Sequence, residues 1–307
     1  MPSYRLQHVD AFTRTPFTGN YAGVLLNADG LSDEHMQLIA REKNVSETAF
    51  VLKPSVKEAD VRIRWFTPAE EVPLCGHATI ATFHALAEEG ELGMGEEGTF
   101  AFRLETKSGI LGVSVEKRKS SSTVEFELPV PNFAQTSSIS EAMMHALGLG
   151  DWDLDTVLPV VSESYLYVPL KSLEKIQGLR PDFSALSKAC RSSKVLGVSL
   201  FSLQTLEPES SVHSRFFAPS VGINEDPVTG SANGPLGAYL HMFALRAGFV
   251  PASKDLPDGR TEYVGEQGDE LNRPGRVRIR LKTTPDRIER LWIAGEAVTV
   301  MQSTLSF

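Results

Sequence analysis

Apolar and polar positions alternate in short blocks along the first third of the chain. "YRLQHVDAF" (4–12) and "YAGVLLN" (21–27) carry the apolar and aromatic content of strands. "SDEHMQLIAREKN" (32–44) has helical spacing, with Ser32 placed to cap it and Asp33 and Glu34 in the positive first turn. "ETAFVLKP" (47–54) and "DVRIRWFTP" (60–68) predict two further strands, each closed by a proline. Beyond Gly76, the spacing of Ile80, Phe83, Leu86 and Ala87 predicts a helix with one apolar face, and Gly90 is placed to end it. Charged, glycine- or serine-rich connections follow at 88–98 and 116–122, the second leading into the strand "TVEFELPV" (123–130). "PVPNFAQTSSIS" (129–140), with its prolines and polar tail, is the expected domain boundary.

The same order of elements recurs downstream. Residues 47–86 align with 198–240: Arg64-Trp65-Phe66-Thr67-Pro68 matches Arg215-Phe216-Phe217-Ala218-Pro219 at an offset of 151 residues (64 to 215), as does Phe50 with Phe201. At the loop-to-helix join Gly76 matches Gly230, an offset of 154 (76 to 230), so the second copy carries three extra residues. The expectation is a duplicated strand–loop–helix unit and two similar halves. The second helix repeats the apolar face with Leu236, Leu240 and Phe243.

Composition narrows the partners. The 307 residues are 41% hydrophobic and 22% charged, as in ordinary globular proteins, and the net charge is −9. A basic surface for nucleic acid or anionic lipid is therefore not expected, and a small anionic ligand must be held locally. Two cysteines, Cys75 and Cys190, without CxxC spacing suit a reducing compartment, and no apolar run is long enough to span a bilayer. A cytoplasmic protein is the expectation, with no nucleic-acid or membrane partner.

The paired helix starts carry the candidate chemistry. Cys75-Gly76-His77 in the first copy and Thr229-Gly230-Ser231 in the second place glycine and small residues where free N–H groups and the helix dipole favour a carboxylate or phosphate. Each glycine alone also suits a plain tight turn; as a pair they point to an anion cradle in a cleft between halves. Only the first copy offers a carboxylate beside the shared strand, because the counterpart of Glu47 at the 151 offset is Val198. Glu47 is the candidate base, against the alternative of an ordinary salt-bridged residue, and apolar neighbours would raise its pKa. His77 is placed to donate to a substrate oxygen. Ser231 is the same position of the second helix, with capping as its plain role. Asp226, within the expansion "INEDPVTGS", is placed to orient His77 or hold a substrate group, or else to form an Asx turn before Pro227. A thiol at Cys75 faces no second thiol, since Thr229 holds the matching position, which weakens a two-thiol racemase. Cys75 and His77 supply two metal ligands and no spacing completes a zinc-like set, so no metal is expected. P-loop, dinucleotide and Gly-x-Ser-x-Gly fingerprints are absent.

These residues resemble the PhzF family of phenazine biosynthesis-like isomerases, relatives of diaminopimelate epimerase. The likeness is carried by "VDAFTRTPFTGNYAGVLL" (9–26), "NVSETAFV" (44–51), "RWFTPAEEVPLCGHATIATFHAL" (64–86), "FFAPSVGINEDPVTGSANGPLGAYL" (216–240) and, more weakly, "GEQGDELNRPGRVRI" (265–279). The resemblance implies an α/β (α+β) fold of two pseudo-symmetric halves, each a curled sheet around a central helix. The halves expected here are 1–128 and 129–296, with 297–307 returning to the first. It further implies catalysis without metal or cofactor, and a homodimer. The family's phenazine enzyme moves a proton between carbons of an amino-hydroxy-cyclohexadiene carboxylate with one glutamate. That glutamate matches Glu47, and its supporting histidine, aspartate and serine match His77, Asp226 and Ser231. Gly76, Gly230, Cys75 and Thr229 complete the expected substrate-binding set. The expected function is a cofactor-independent isomerase of a small carboxylate. The alternatives are an amino- or hydroxy-acid racemase using Cys75 and a non-catalytic metabolite-binding protein.

Overall fold

The computed structural model describes residues 3–135, 139–155, 160–162, 165–244, 251–285 and 287–306. The chain forms two units, Met1–Glu127 with Ile293–Phe307, and Leu128–Trp292. The return to the first unit therefore begins at Ile293, a few residues before the expected 297.

In the first unit the strands are β1 (Ser3–Ala11), β2 (Asn20–Leu25), β3 (Thr48–Leu52), β4 (Val61–Phe66), β5 (Glu71–Val72), β6 (Gly98–Thr106), β7 (Gly109–Arg118) and β8 (Ser121–Leu128), with helices α1 (Asp33–Lys43) and α2 (Gly76–Glu88). The last strand of the chain, β18 (Ile288–Ser306), runs antiparallel to β1 and also pairs with β8. Pairing then passes from β8 through β7, β6, β4, β3 and β2 back to β1, which closes a barrel. Helix α2 packs on β1, β2, β3 and β7, and every residue from His77 to Ala87 is buried.

The single apolar face expected of α2 is therefore too narrow a description. A helix enclosed on all sides must be apolar or small all round. Ala78, Ala81 and Ala85 let it fit, and the hydroxyls of Thr79 and Thr82 donate to the carbonyls of Cys75 (2.7 Å) and Ala78 (2.6 Å) within the helix itself. His84 is also buried there, with Nδ1 2.9 Å from Ser122 Oγ.

The second unit contains β9 (Phe133–Gln135), β10 (Val160–Ser162), β11 (Tyr165–Pro169), β12 (Gly197–Ser202), β13 (Val212–Ala218), β14 (Ile223–Asp226), β15 (Lys254–Asp255), β16 (Thr261–Gln267) and β17 (Gly275–Thr283). Its helices are α3 (Glu141–Leu147), α4 (Leu173–Gly178), α5 (Phe183–Ser193) and α6 (Gly230–Tyr239). Pairing runs β9, β10, β11, β12, β13, β16, β17, with β14 on β13 and β15 on β16. Helix α6 packs on β16 and β17.

The duplication is wider than the sequence match. Helices α1 and α5 are both crossovers between parallel strands, each with a side-chain N-cap, Ser32 and Asp182, and a left-handed C-cap, Asn44 and Lys194. Both caps lie 150 residues apart. In α5, Asp182 accepts from the Ala185 N–H at 2.9 Å. Replacing Asp182 by Ala is expected to lower stability by about 1 kcal/mol, read as a shift in the urea midpoint, because that N–H loses its acceptor.

Arg64 makes a two-pronged pair with Glu71 at 2.8 Å for both contacts, and Arg215 does the same with Glu225 at 2.7 and 2.8 Å. Each guanidinium also lies 5.1 Å from the ring of Phe66 or Phe217. These contacts pin the hairpins that lead into α2 and α6, which is the physical content of the repeated Arg-x-Phe string.

A second pairing is repeated in altered form. Glu105 accepts from the Ser55 N–H at 2.6 Å and lies 3.5 Å from Arg62. At the matching place, Glu266 accepts from the N–H groups of Leu206 (2.9 Å) and Glu207 (2.8 Å), and histidine replaces arginine. His213 lies between two carboxylates, Glu266 and Glu270, at 2.9 Å from each.

Burial alone would lower the His213 pKa, but the two carboxylates carry it from 6.5 up to about 9. Burial would raise Glu266, but His213 and the two backbone N–H groups bring it from 4.5 down to about 2. A raised histidine contributes stability in full below its unfolded pKa and loses it as pH rises through the folded one; a depressed carboxylate does the reverse. Stability from this pair is thus greatest between 4.5 and 6.5, falling toward about 2 and about 9. Urea midpoints across pH are expected to follow that shape. In His213→Gln the alkaline decline should flatten, and an unchanged decline would assign it to other groups.

Candidate active site

Strand β2 brings Asn20 to the site and β3 brings Glu47. Gly19, at φ +63°, turns the chain into Asn20, and a side chain there would collide with the Ala11 carbonyl. Glu47 directly precedes β3, where its carbonyl accepts from the Gly23 N–H at 3.0 Å. The pinned hairpin delivers Cys75 and His77 to the start of α2.

There His77 Nε2 lies 3.2 Å from Glu47 Oε2 and 3.3 Å from Ser46 Oγ, while Nδ1 lies 3.3 Å from Asn20 Nδ2 and 3.6 Å from Cys75 Sγ. His77 and Cys75 are 6% and 7% exposed, so this polar group is almost wholly withdrawn from water. The imidazole is oriented by four side chains of its own unit. The bond described for the Asp226 carboxylate goes to Thr229.

Burial pushes Glu47 upward, as the sequence suggested, but the net shift is downward. Burial is the largest single effect, but His77, Ser46 and Cys75 together outweigh it. Burial opposes charge on His77, yet Cys75 and Glu47 raise it well above 6.5. Burial and the Glu47 charge push the Cys75 thiol up. Charge is thus favoured on both Glu47 and His77, while burial and the Glu47 carboxylate oppose a thiolate at Cys75 except as the partner of that imidazolium. This differs from an activated thiolate at a helix start, because the nearby negative charge and burial both oppose one.

Four helices, α1, α3, α4 and α5, have Ser or Asp caps that accept from the first turn. Helices α2 and α6 have none and carry no acidic residue in the first turn. Their first N–H groups are left to another acceptor.

In the second unit Gln267 organises the helix start. Its Oε1 accepts from Thr229 N (3.0 Å) and Asn233 Nδ2 (2.8 Å), and its Nε2 donates to Asp226 O (2.8 Å) and Thr229 Oγ1 (3.0 Å). Thr229 Oγ1 in turn donates to the Asp226 carboxylate. Ser231 Oγ lies 3.4 Å from Tyr165 Oη rather than capping α6, whose N-cap is Thr229.

Three sequence assignments are corrected by register. Thr48 pairs with Phe66 and Val198 with Phe217, so on β3 and β12 the offset is 150: the counterpart of Glu47 is Gly197, not Val198, and by the same shift Phe50 matches Leu200, not Phe201. A side chain at Gly197 would run into the Phe216 ring, which would have to shift to admit it. Glu71 already matches Glu225 at the 154 offset, so the three extra residues lie before it, around the turn Pro219–Val221. Asp226 therefore lies beyond the expansion and matches Val72.

The family model for phenazine biosynthesis-like protein, PhzC-PhzF, matches residues 9–303. The chain belongs to this family. Curated relatives named uncharacterized isomerase occur in Clostridium acetobutylicum, 36% identical over 98% of both chains, and in Escherichia coli, 37% identical over 97% of both. The crystal structure of a Bacillus anthracis phenazine biosynthesis protein of the PhzF family superposes with a TM-score of 0.86, at 31% identity and full coverage of both chains. By this kinship the chain is an isomerase of mixed α/β fold.

Within this phenazine biosynthesis-like isomerase, Asn20, Ser46, Gln267 and Asn233 are the polar neighbours that sequence reasoning missed. Ser46 was visible as the residue beside Glu47 in "NVSETAFV", and Gln267 as a polar residue within "GEQGDEL". The count of metal ligands was also one short. Glu47 joins Cys75 and His77, and the donor atoms of all three lie within 4.8 Å of one another. No helix among the described residues is long and apolar enough to cross a membrane.

Proposed function

We propose that this isomerase shifts a proton between carbons of a small carboxylate without a cofactor, with Glu47 as base and then acid. The observation that carries the reading is the buried Glu47–His77 ion pair, 3.2 Å apart, beside the uncapped start of α2. An ionised carboxylate held beside an imidazolium removes a proton without first losing its own, and the histidine stabilises negative charge developing on substrate oxygen.

The same reading gives substrate contacts to His77, Cys75 and Gly76 at the start of α2; Asp226, Thr229, Gly230 and Ser231 at the start of α6 are the second unit's own candidate anion-binding residues. The N–H groups of both helix starts suit a carboxylate. Gly197 supports a single base, since the second copy has no carboxylate at the matching position. A racemase with paired thiols is disfavoured by Thr229, whose hydroxyl is committed to Asp226 and Gln267. A cytoplasmic homodimer acting on a free anionic metabolite belongs to the same proposal.

The test is a thermal-shift screen of small cyclic and amino-substituted carboxylates, followed by solvent-deuterium wash-in on the compounds that stabilise the protein. The expected result is deuterium entering one carbon of a stabilising compound. Stabilisation without exchange in any binder would favour a metabolite-binding protein instead.

A further inference from the structure

We propose that Glu47, Cys75 and His77 form an inhibitory site for a soft divalent cation, Zn²⁺ by its donor chemistry. The metal binding rests on geometry alone; the inhibition rests on Glu47 being the base. Carboxylate, thiolate and imidazole are the three donor types that tetrahedral zinc accepts, at about 2.0–2.3 Å each, which separates donors by roughly 3.2–3.8 Å. Around one nitrogen, His77 Nε2, the structure places Glu47 Oε2 at 3.2 Å and Cys75 Sγ at 3.9 Å. The sulfur lies just beyond that range, and all three donors lie within 4.8 Å of one another, so a modest closure brings them around one ion.

A second observation points the same way. Glu47 Oε2 is buried and accepts no hydrogen bond of normal geometry, although it faces the imidazole. The imidazolium supplies the positive charge that this buried oxygen needs at rest, and a divalent cation can take its place. Such an ion would leave a fourth position for water. Binding displaces the proton from the Cys75 thiol and any proton on His77 Nε2 to solvent, with no change of oxidation state. With Glu47 Oε2 on the metal, the carboxylate is withdrawn from proton transfer.

The experiment titrates the metal-free full-length protein with Co²⁺ and then Zn²⁺, without substrate. The expected result is one equivalent of cobalt with a thiolate-to-cobalt charge-transfer absorption, displaced by one equivalent of zinc. Cys75→Ser should abolish that absorption. Glu47→Gln should weaken cobalt binding by at least on the order of 10–100-fold, the effect that loss of even an outer-shell partner produces. Thermal unfolding of both variants confirms that they are folded. No charge-transfer band in the wild type, or an unchanged cobalt affinity in Glu47→Gln, overturns the site. Neither outcome touches the assignment of Glu47 as base, which stands or falls on deuterium exchange.

Discussion

Glu47→Gln is expected to lower deuterium exchange into the substrate by on the order of 10²–10⁴-fold, the share of rate that a positioned acid–base group supplies. The substitution keeps the shape of the side chain and its reach toward His77, so the fold should persist. What it removes is the carboxylate beside His77 that would take a proton from carbon and return it. Because Glu47 is held below its ordinary 4.5, the base is ionised at neutral pH and its activity is lost as pH falls through that lowered value. Because His77 is held above 6.5, electrophilic assistance is lost as pH rises through the raised value. Exchange should therefore show a plateau spanning at least 4.5 to 6.5, with an acid limb and an alkaline limb. The measurement is mass-spectrometric deuterium content of whichever carboxylate the wild-type protein labels. Exchange at the wild-type rate in Glu47→Gln would remove this residue from the role.

Gly268→Ala should destabilise the protein by on the order of 2–4 kcal/mol, from backbone strain and overpacking together. Gly268 holds φ at +92°, and a Cβ there would lie 2.6 Å from the Pro227 carbonyl and closer still to that of Arg273. Both obstacles are backbone, so neither swings aside as a side chain would. Pro227 is next to Asp226, and Gln267 is next to Gly268, so the strain falls on the network that sets the start of α6. Gly222→Ala is the control. It has a similar φ of +89° but open space around the added methyl, so about 1 kcal/mol is expected there. Equal losses in the two variants would mean that the crowding at Gly268 relaxes freely.

Local chemistry was legible in the sequence wherever it is written in adjacent residues. The Ser32 cap, the glycine at each helix start and the recurrence of Arg64 as Arg215 all follow from short strings. What depends on strand register was not legible. A shift of one residue moves a side chain to the opposite face of the sheet, and that shift exchanged Val198 for Gly197 as the partner of Glu47. The opposed effects on the Glu47 pKa were equally hidden. Its apolar neighbours pointed upward, but His77 and Cys75, from about 30 residues away, join Ser46 in reversing the sign. Gln267 escaped notice for a similar reason: nothing local says that its carboxamide will satisfy four groups of another loop.

The barrel of the first unit is closed by the end of the chain, with Ser3 paired to Ser306. During synthesis, β1 to β8 are complete long before their last stave, while the whole second unit, Leu128–Trp292, is made in between. The nascent first unit waits with β1 and β8 as open edges, a state that invites pairing with other chains. Closure joins strands almost the whole chain apart, the kind of non-local pairing that slows folding. A ribosome that stops before Ile293 leaves a barrel that cannot shut, however well its active-site residues are placed.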